Sequence, residues 1–547
     1  MGGRASYIRE IFILFCLQVS IALCFNLTIL HTNDIHGRFE ETDKRGFTCH
    51  SNKEACFGGV ARIATAVKEV RNKDENVVFV DGADRFTGTI WSEVYKGNAS
   101  KVFFNELNYT AITLGNHDFD YGVKTLLGFL EEIKCPVVVS NMDTSKEPLW
   151  PDATQLVRTT VIVDVNGEKI GFVGYILPQT SRTSNPGENI KFLPIITSVQ
   201  NAVKELESKG INKIIAVGHA GYNVDTKIAK KVVGVDVVVG GHSNTFLYSG
   251  KPPSDDKRKG PYPYIVHPDH NMSLSVPVVQ AYYYTKYLGK LQVMFNDLGE
   301  VTGWSGNPVL LNSAVAKDQH VYGIVKKMKK LVDERGNEKI GQVKVQLTAM
   351  NCDTEPCFLG ELITSAMVYH FRSYNASISL FHGSNLRTLP TDGQGNILYK
   401  DLFLSFPYRN TIDMVELSGT DLKSSLEATS FLQMQGLRVK YLIGKPRRVE
   451  DLQVKQVHCP TNNCYTPINM SKTYRVVSDS YFISTSNRII AKKGRNRIRG
   501  NSIYDVLLDY LEAKYPVKND VSIAAKLRHS FVVFLSVMVA QIIIFWH

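Results

Sequence analysis

The sequence predicts an α/β protein with at least two domains, and three observations support that prediction. Short β-branched apolar runs alternate with segments of helical periodicity over residues 26–244. A second region with the same alternation spans about 342–522. The length of 547 residues exceeds what one domain usually holds, about 100–200 residues. Such alternation is typical of a buried sheet whose functional residues lie just past the strand ends.

The elements of the first region follow in a regular order. We predict a strand at 26–32, a helix near 59–72, a strand at 76–82, a helix near 90–107, strands at 111–115, 135–141 and 169–176, a helix at 197–209, and strands at 213–220 and 235–244. Residues 318–341 have a charged helical pattern without a strong apolar stripe, which favours a connecting helix.

The composition is ordinary for a globular chain, with 44% hydrophobic and 21% charged residues. The formal net charge is +11, but the basic residues are spread along the chain, apart from short clusters at 326–330 and 492–499. These clusters are typical of a solvated surface, and a polyanion site is the alternative. We predict no nucleic-acid partner.

Both ends of the chain indicate processing. Residues 1–24 combine two arginines with an apolar run, which predicts a secretory signal peptide. The apolar residues 531–547 follow a polar spacer, which predicts a glycosylphosphatidylinositol (GPI) attachment signal with Ser522 as the attachment residue and 523–547 as the propeptide. A C-terminal membrane span and the lack of an anchor are alternatives. We therefore expect the protein in the secretory pathway, either anchored on the extracellular face of the membrane or secreted.

The cysteines agree with secretion, because those outside the leader fall mainly into close pairs that could each close a short loop. The pairs are Cys49/Cys56, Cys352/Cys357 and Cys459/Cys464, and Cys135 remains as a buried free thiol. Six Asn-x-Ser/Thr sites are candidate glycan acceptors: Asn26, Asn98, Asn108, Asn271, Asn375 and Asn469.

Polar residues flanked by glycine follow the predicted strands of the first region. They are Asp34 and His36, Asp81 and Asp84, Asn116 with His117 and Asp120, His219, and His242 with Asn244. A single histidine of this kind is usually structural, but five clusters at successive strand ends converge if the strands lie side by side. Carboxylate, amide and imidazole groups suit two divalent metals, and one aspartate must bridge them.

These residues also resemble a known family. The segments ILHTNDIHGR, GADRFTGTIW, TLGNHDFDYG, VGHAGY and VVVGGHSNTFLYSG are similar to the motifs of the secreted and GPI-anchored 5′-nucleotidase/apyrase family, in the family's order. The resemblance implies a calcineurin-like metallophosphoesterase domain, a four-layer sandwich, at 25–317. It also implies a linker helix at 318–341, acting as a hinge, and an α/β 5′-nucleotidase C-terminal domain at 342–522 that supplies the nucleotide pocket.

The resemblance assigns roles position by position. It implies Asp34 and His36 as ligands of one metal, Asp84 as the bridge, and Asn116, His219 and His242 as ligands of the other. Asn244 corresponds to a further polar group near the first metal. His117 and Asp120 match a catalytic dyad, in which the histidine stabilises charge on the phosphoryl group and the aspartate orients it. The implied cofactors are two divalent ions, zinc first, with calcium, magnesium or manganese as alternatives. The implied reaction is in-line attack of a metal-activated water on phosphorus.

The C-terminal half departs from the family pattern. The phosphate-binding loop has Arg387 in place, but His382 replaces an asparagine. The two adenine-stacking aromatics map to Tyr408 and Tyr481, while the glycines expected after the second are absent. Asn487 stands where the family has a ribose-binding aspartate, so a charge-assisted acceptor is lost.

Three functional interpretations follow. The first is an extracellular nucleotidase that releases phosphate from ATP, ADP or AMP, which in its apyrase form could prevent ADP-driven platelet aggregation. The second is a phosphoesterase with an altered substrate. The third is a non-catalytic inhibitor of platelets or of an adhesion receptor, which would have no reason to keep a complete metal shell. The family includes homodimers formed through the C-terminal domain, and monomer against dimer stays open.

Overall fold

The computed structural model describes residues 24–44, 46–47, 49, 56–150, 156–406, 409–442, 447–456 and 464–517. The chain divides into two compact units, which meet in sequence between Val332 and Asp333. The predicted signal peptide, apart from Cys24, lies outside the described residues, as do Ser522 and the predicted propeptide. Among the helices of the described residues, none has the length and the apolar composition that a membrane span requires.

The described residues of the first unit form fourteen strands and most of the linking helix. Its strands are β1 Phe25–Thr32, β2 Val77–Asp81, β3 Ala111–Ile112, β4 Met142–Asp143, β5 Thr160–Val165, β6 Glu168–Ile176, β7 Lys191–Phe192, β8 Ile214–His219, β9 Val237–Val239, β10 Tyr264–Val266, β11 Val276–Val279, β12 Tyr287–Phe295, β13 Val301–Gly306 and β14 Val309–Leu310. Its helices are α1 Val60–Arg71, α2 Ile90–Tyr95, α3 Gly97–Leu107, α4 Gly122–Leu130, α5 Thr180–Thr183, α6 Ile195–Ser208, α7 Tyr222–Lys231 and α8 Gln319–Gly336, the last of which runs into the second unit.

Two six-stranded sheets form the centre of this unit. One has the order β13-β12-β1-β2-β3, with β14 paired to β12, and the other has the order β10-β11-β9-β8-β6-β5. The neighbours β1, β2 and β3 are parallel, and so are β6, β8, β9 and β11. The carboxyl ends of these parallel strands therefore carry the polar loops on one edge of each sheet.

Side-chain alternation along the strands explains the layering. In β1, Leu27 and Ile29 pack in the core between the sheets, whereas Leu30 packs in the core that contains α1, α3 and α4. In β8, Ile215 lies in the core between the sheets and Ile214 packs in the core that contains α6 and α7. Because successive strand residues face opposite sides, each sheet is buried on both faces. The result is the expected four-layer sandwich of helices, sheet, sheet and helices.

Two helices differ from the sequence-based expectation. The helix expected near 90–107 is interrupted at Lys96, whose φ of 51° is left-handed, so α2 and α3 are separate. The connecting segment expected to be helical over 318–341 ends its helix at Gly336 and enters a strand at Lys339. The helix α8 also has an apolar stripe, since Val321, Val325 and Val332 belong to the core of the first unit.

The second unit is built on a five-stranded sheet of order β19-β16-β23-β18-β24. Its strands are β15 Lys339–Gln342, β16 Ile378–His382, β17 Asn396–Leu398, β18 Ile412–Ser418, β19 Leu432–Gln435, β20 Leu437–Leu442, β21 Arg448–Lys455, β22 Tyr465–Pro467, β23 Thr473–Asp479 and β24 Arg495–Ile498. Its helices are α9 Phe358–His370, α10 Tyr399–Ser405, α11 Gly419–Glu427, α12 Arg488–Lys493 and α13 Ile503–Lys514. Strands β16 and β23 run parallel, so the loops after them share one sheet edge.

Candidate metal centre and nucleotide-binding residues

The structure brings the strand-end residues of the first unit together around Asp84. Two groups of side chains offer ligand atoms that all lie within 4.8 Å of one another: Asp34, His36 and Asp84 form one group, and Asp84, His219 and His242 form the other. His36 Nε2 lies 3.7 Å from both Asp34 Oδ1 and Asp84 Oδ2. His219 Nε2 lies 2.8 Å from Asp84 Oδ2. Asp84 is therefore shared by both groups of candidate ligands.

Backbone contacts orient the imidazole rings. His36 Nδ1 lies 2.8 Å from the carbonyl oxygen of Thr87, and His219 Nδ1 lies 2.7 Å from the carbonyl oxygen of Gly82. A carbonyl oxygen only accepts, so each Nδ1 carries a proton and each Nε2 faces the carboxylates of the centre. Burial disfavours the His219 cation, but the neighbouring Asp84 outweighs that effect and raises the pKa of His219 to about 9. A cation bound at Nε2 of His219 would take the place of that proton.

The oxygen donors also fit a bound cation. Oδ1 of Asp34 and Oδ1 of Asn116 are buried and have no hydrogen-bond partner within the described chain. The other oxygen of Asp34 accepts from the Asn33 amide at 2.7 Å and from the backbone N–H of His242 at 2.9 Å. A buried oxygen without a partner is costly, and a divalent ion would satisfy these two. Asn244, two residues after His242, is exposed.

The electrostatics of the centre favour an anionic bridge. Asp84 is buried, which alone would raise its pKa, but His219, His117 and His36 hold the pKa well below its ordinary value. Burial and the neighbouring His219 lower the pKa of His242 to about 4. Asp84 therefore stays ionised and His242 neutral, which are the states that bind metal.

His117 and Asp120 form a hydrogen-bonded pair beside this centre. The distance from His117 Nδ1 to Asp120 Oδ2 is 2.7 Å, and the His117 and His36 rings lie edge to face at 5.2 Å. Burial disfavours the His117 cation, but the carboxylates of Asp120 and Asp84 outweigh that effect and raise its pKa to about 10. The two carboxylates therefore favour the imidazolium form of His117, with Nδ1 bonded to Asp120.

Sequence reasoning missed the residues that hold this pair in place. Thr87 Oγ1 donates to Asp120 Oδ2 at 2.9 Å, and Ser184 Oγ donates to Asp120 Oδ1 at 2.6 Å. Thr87 lies in the GADRFTGTIW segment and could have been suspected from its proximity to Asp84. Ser184 follows the short helix α5, not a strand, and no signal in the sequence marks it.

In the second unit, His382 is the last residue of β16 and Arg387 lies in the segment that follows. Both nitrogens of the His382 ring are engaged, with Nδ1 at 2.7 Å from Ser384 Oγ and Nε2 at 2.8 Å from Ser430 Oγ. Burial lowers the pKa of His382, so the ring is neutral at neutral pH. The Arg387 side chain is exposed, and its guanidinium donates to the carbonyl oxygens of Ser384 and Leu386.

Tyr481 and Asn487 follow β23, whose end lies on the same edge as the end of β16. Tyr481 is 50% exposed and so presents an aromatic surface to solvent. Asn487 is buried, its amide donates to Ser425 and Thr429, and its carbonyl oxygen caps α12. These contacts give Asn487 a structural task, and a ribose contact remains a prediction. Tyr408, the other predicted stacking residue, lies outside the described residues.

The disulfides Cys49–Cys56 and Cys352–Cys357 are present. Cys464 is disulfide-bonded, and its predicted partner Cys459 lies outside the described residues. Cys135 is a free thiol but only half-buried, and burial raises its pKa to about 12. All six candidate glycan acceptors are exposed.

Comparison with known proteins agrees with this centre. Residues 27–246 match the family model of calcineurin-like phosphoesterases, and residues 339–491 match that of the 5′-nucleotidase C-terminal domain. A double-sheet sandwich with carboxylates and histidines at its strand ends thus defines the first unit as a metallophosphoesterase domain.

Relatives that match over most of the chain define its family more narrowly. The chain is 40% identical to the 5′-nucleotidase of Bos taurus over 84% of this chain and 83% of that protein. It is 37% identical to the snake venom 5′-nucleotidase of Crotalus adamanteus over 91% and 88%. The crystal structure of a 5′-nucleotidase precursor from Thermus thermophilus is similar with a TM-score of 0.69 and 32% identity, covering 91% of this chain and 98% of that one. The chain belongs to the 5′-nucleotidase family.

Proposed function

We propose that this protein releases phosphate from extracellular nucleotides, with a nucleoside monophosphate such as AMP as the preferred substrate. The observation that carries the proposal is the pair of ligand groups that share Asp84, next to the His117–Asp120 pair. The relatives are named 5′-nucleotidases, and this name supports a nucleoside monophosphate as the substrate proposed here, ahead of ATP and ADP. An apyrase activity, and with it an effect on ADP-driven platelet aggregation, is the alternative.

The chain's own residues would divide the chemistry between them. Asp34, His36 and Asp84 would hold one divalent ion, and Asp84, Asn116, His219 and His242 the other. When bound, the ions supply Lewis acidity and lower the pKa of an attacking water. Imidazole ligands favour zinc over calcium or magnesium.

His117 provides the charge that the phosphoryl group needs. With Nδ1 held by Asp120, Nε2 is the nitrogen that remains to donate to a phosphoryl oxygen as negative charge develops there. Thr87 and Ser184 fix the carboxylate of Asp120 and so prevent the ring from turning away.

In the second unit we propose Tyr481 as a stacking surface for the nucleobase and Arg387 as a contact for the phosphate. The exposed side chains of both support these roles. Asn487 and His382 would instead support the segment at Thr429 and Ser430. Asn487 is hydrogen-bonded to Thr429, and His382 is hydrogen-bonded to Ser430.

The setting proposed for this activity is the cell exterior. Disulfides and exposed glycan acceptors fit the secretory pathway. The apolar residues 531–547 support a GPI anchor at Ser522. The oligomeric state would follow from light scattering of the purified protein.

The proposal is tested by phosphate release from the purified full chain with AMP, ADP and ATP, before and after chelation and zinc return. Release from AMP that is lost with chelator and restored by zinc is expected. Asp84→Asn should abolish it, whereas Asp269→Asn, at an exposed ion pair with Lys231, should not. Release from ATP and ADP would indicate an apyrase, and no release from any of the three would refute a nucleotidase.

A further inference from the structure

Arg85 is a fully buried cation in the loop that carries Asp84, and the proposed mechanism does not use it. It is among the largest fully buried side chains of the described protein. In the sequence it lies within the GADRFTGTIW segment, directly after Asp84, and nothing there marks it as buried. A guanidinium inside a protein has to be paired, because desolvating an unpaired charge is very costly.

Two carboxylates and a carbonyl pair with Arg85. Its terminal nitrogens donate to Asp118 Oδ2 at 3.0 Å, to Asp81 Oδ1 at 2.8 Å and to the carbonyl oxygen of Thr113 at 2.6 Å. Its backbone N–H donates to the other oxygen of Asp118 at 3.1 Å. Both carboxylates are fully buried as well. Asp118 thus accepts hydrogen bonds from both the side chain and the backbone of Arg85.

The same carboxylates hold the loops that carry the predicted ligands. Asp118 Oδ2 accepts from the N–H of Gly115, directly before the ligand Asn116. Asp81 accepts from the N–H of Ala83 and from Thr32 Oγ1 at 2.6 Å, and Thr32 ends the strand that leads to the first ligand. The guanidinium is therefore connected to the ends of β1, β2 and β3 within one buried network.

We propose that Arg85, gripped by Asp118, is a positioning residue that sets the spacing between the bridging Asp84 and the Asn116–His117 turn. The inference rests on the proposed function of the centre. Arg85 is next to Asp84 in the chain, and Asp118 is next to His117. A shift of the Arg85–Asp118 ion pair would therefore move the carboxylate of Asp84 relative to His117. Replacing a buried ion pair by apolar groups is often neutral or stabilising, so stability alone does not explain this network.

Arg85→Lys tests the proposal because it keeps the charge and loses the fork that reaches three acceptors at once. Loss of an outer partner of a metal site typically costs about 10- to 100-fold in metal affinity or activity. We expect zinc affinity, measured by competition with a chromophoric chelator, to fall by about that factor. For AMP we expect kcat to fall with KM little changed.

Arg62→Lys is the matched control. Arg62 is also a buried arginine of the first unit, but it pairs with Glu41 and with the carbonyls of Gly58 and Val315, none of them a candidate site residue. It should lose thermal stability and keep zinc affinity and kcat. If Arg85→Lys behaved in the same way, the role of Arg85 would be structural and the proposal overturned.

Asp118→Asn provides a second variant in case Arg85→Lys does not fold, since it leaves the Arg85–Asp81 pair intact. It should lower zinc affinity and kcat in the same direction, and unchanged values would overturn the proposal. Zinc competition needs no turnover. A wild-type protein that binds zinc but hydrolyses no AMP would refute the nucleotidase proposal, while the variants would still decide the role of Arg85.

Discussion

At the scale of single residues, the centre depends on backbone conformations that residues other than glycine rarely adopt. Asp34, His36, Asp84 and His242 all have φ between 49° and 73°, in the left-handed region. Such conformations typically cost about 1–3 kcal/mol each and persist where the surroundings enforce them. Here they turn the side chains after three different strands, β1, β2 and β9, towards one point.

Gly115 allows one of these turns to pack closely. A Cβ added there would lie 2.1 Å from Asp84 Oδ1 and 2.8 Å from the Asp84 backbone nitrogen. We expect Gly115→Ala to displace the bridging carboxylate and to reduce bound zinc, measured by elemental analysis, together with AMP hydrolysis. Gly128→Ala, inside α4 where a Cβ meets no atom within 4 Å, should retain both. Full zinc content in Gly115→Ala would contradict the placement of Asp84.

His117 should affect turnover more than metal binding. Removing a charge-stabilising donor typically lowers kcat by about 10²–10³-fold, and we expect a loss of that order for His117→Asn with AMP, with zinc content retained. His320→Asn is the control, because His320 is exposed and pairs only at the surface, with Glu106. Wild-type kcat in His117→Asn would exclude the proposed donor role.

At the scale of elements, His31 in strand β1 makes the stability of the first unit depend on pH. It is fully buried, faces Gly289 of β12, and its Nε2 lies 2.8 Å from the Tyr262 hydroxyl. Burial lowers the pKa of His31 to about 3. In the unfolded chain the pKa of His31 is 6.5, so below that pH the unfolded chain binds a proton that the folded chain does not bind. The stability that the neutral, buried His31 contributes is therefore lost progressively as the pH falls from 6.5 towards 3.

Between pH 7.5 and pH 5, we expect the contribution of His31 to the free energy of unfolding to fall by about 2 kcal/mol. In denaturant titrations, His31→Gln should be less stable than the wild type at pH 7.5, and the gap should narrow by about that amount at pH 5. Tryptophan fluorescence reports the first unit, because Trp91, Trp150 and Trp304 lie in it and the fourth tryptophan, Trp546, lies in the predicted propeptide. A gap that stays constant with pH would show that His31 becomes protonated in the folded protein.

Substrate binding by the second unit can be tested on the loop after β23. Base–aromatic stacking is worth about 1–3 kcal/mol, so Tyr481→Ala should raise KM for AMP roughly 5- to 150-fold with little change in kcat. Tyr374→Ala, which removes another partly exposed tyrosine of this unit, should leave KM unchanged. Asn487→Ala should mainly lower thermal stability, because it removes the cap of α12. A KM effect at Tyr374 equal to that at Tyr481 would argue against a specific stacking site.

At the scale of the whole molecule, the sequence predicted the residues that lie next to strands. Asp34, Asp84 and His219 follow or end apolar runs, so their convergence could be expected from the topology of parallel sheets. Ser184 and Arg85 could not be predicted, because their partners are set by tertiary packing and not by a local period. The stripe of α8 was hidden because the lysine-rich segment 326–330 separates Val325 from Val332 in the sequence.

The two units should also respond differently to metal removal. All predicted ligands lie in the first unit, on loops after β1, β2, β3 and β9 and at the end of β8. A cation that binds only the folded state stabilises it by an amount that grows with its concentration, and chelation removes that stabilisation. We expect calorimetry of the full chain to show two transitions, of which chelator lowers only the one that coincides with the change in tryptophan fluorescence. Returned zinc should restore it. If chelator shifted neither transition, the centre would hold no stabilising metal. If both shifted together, the two units would unfold as one cooperative body.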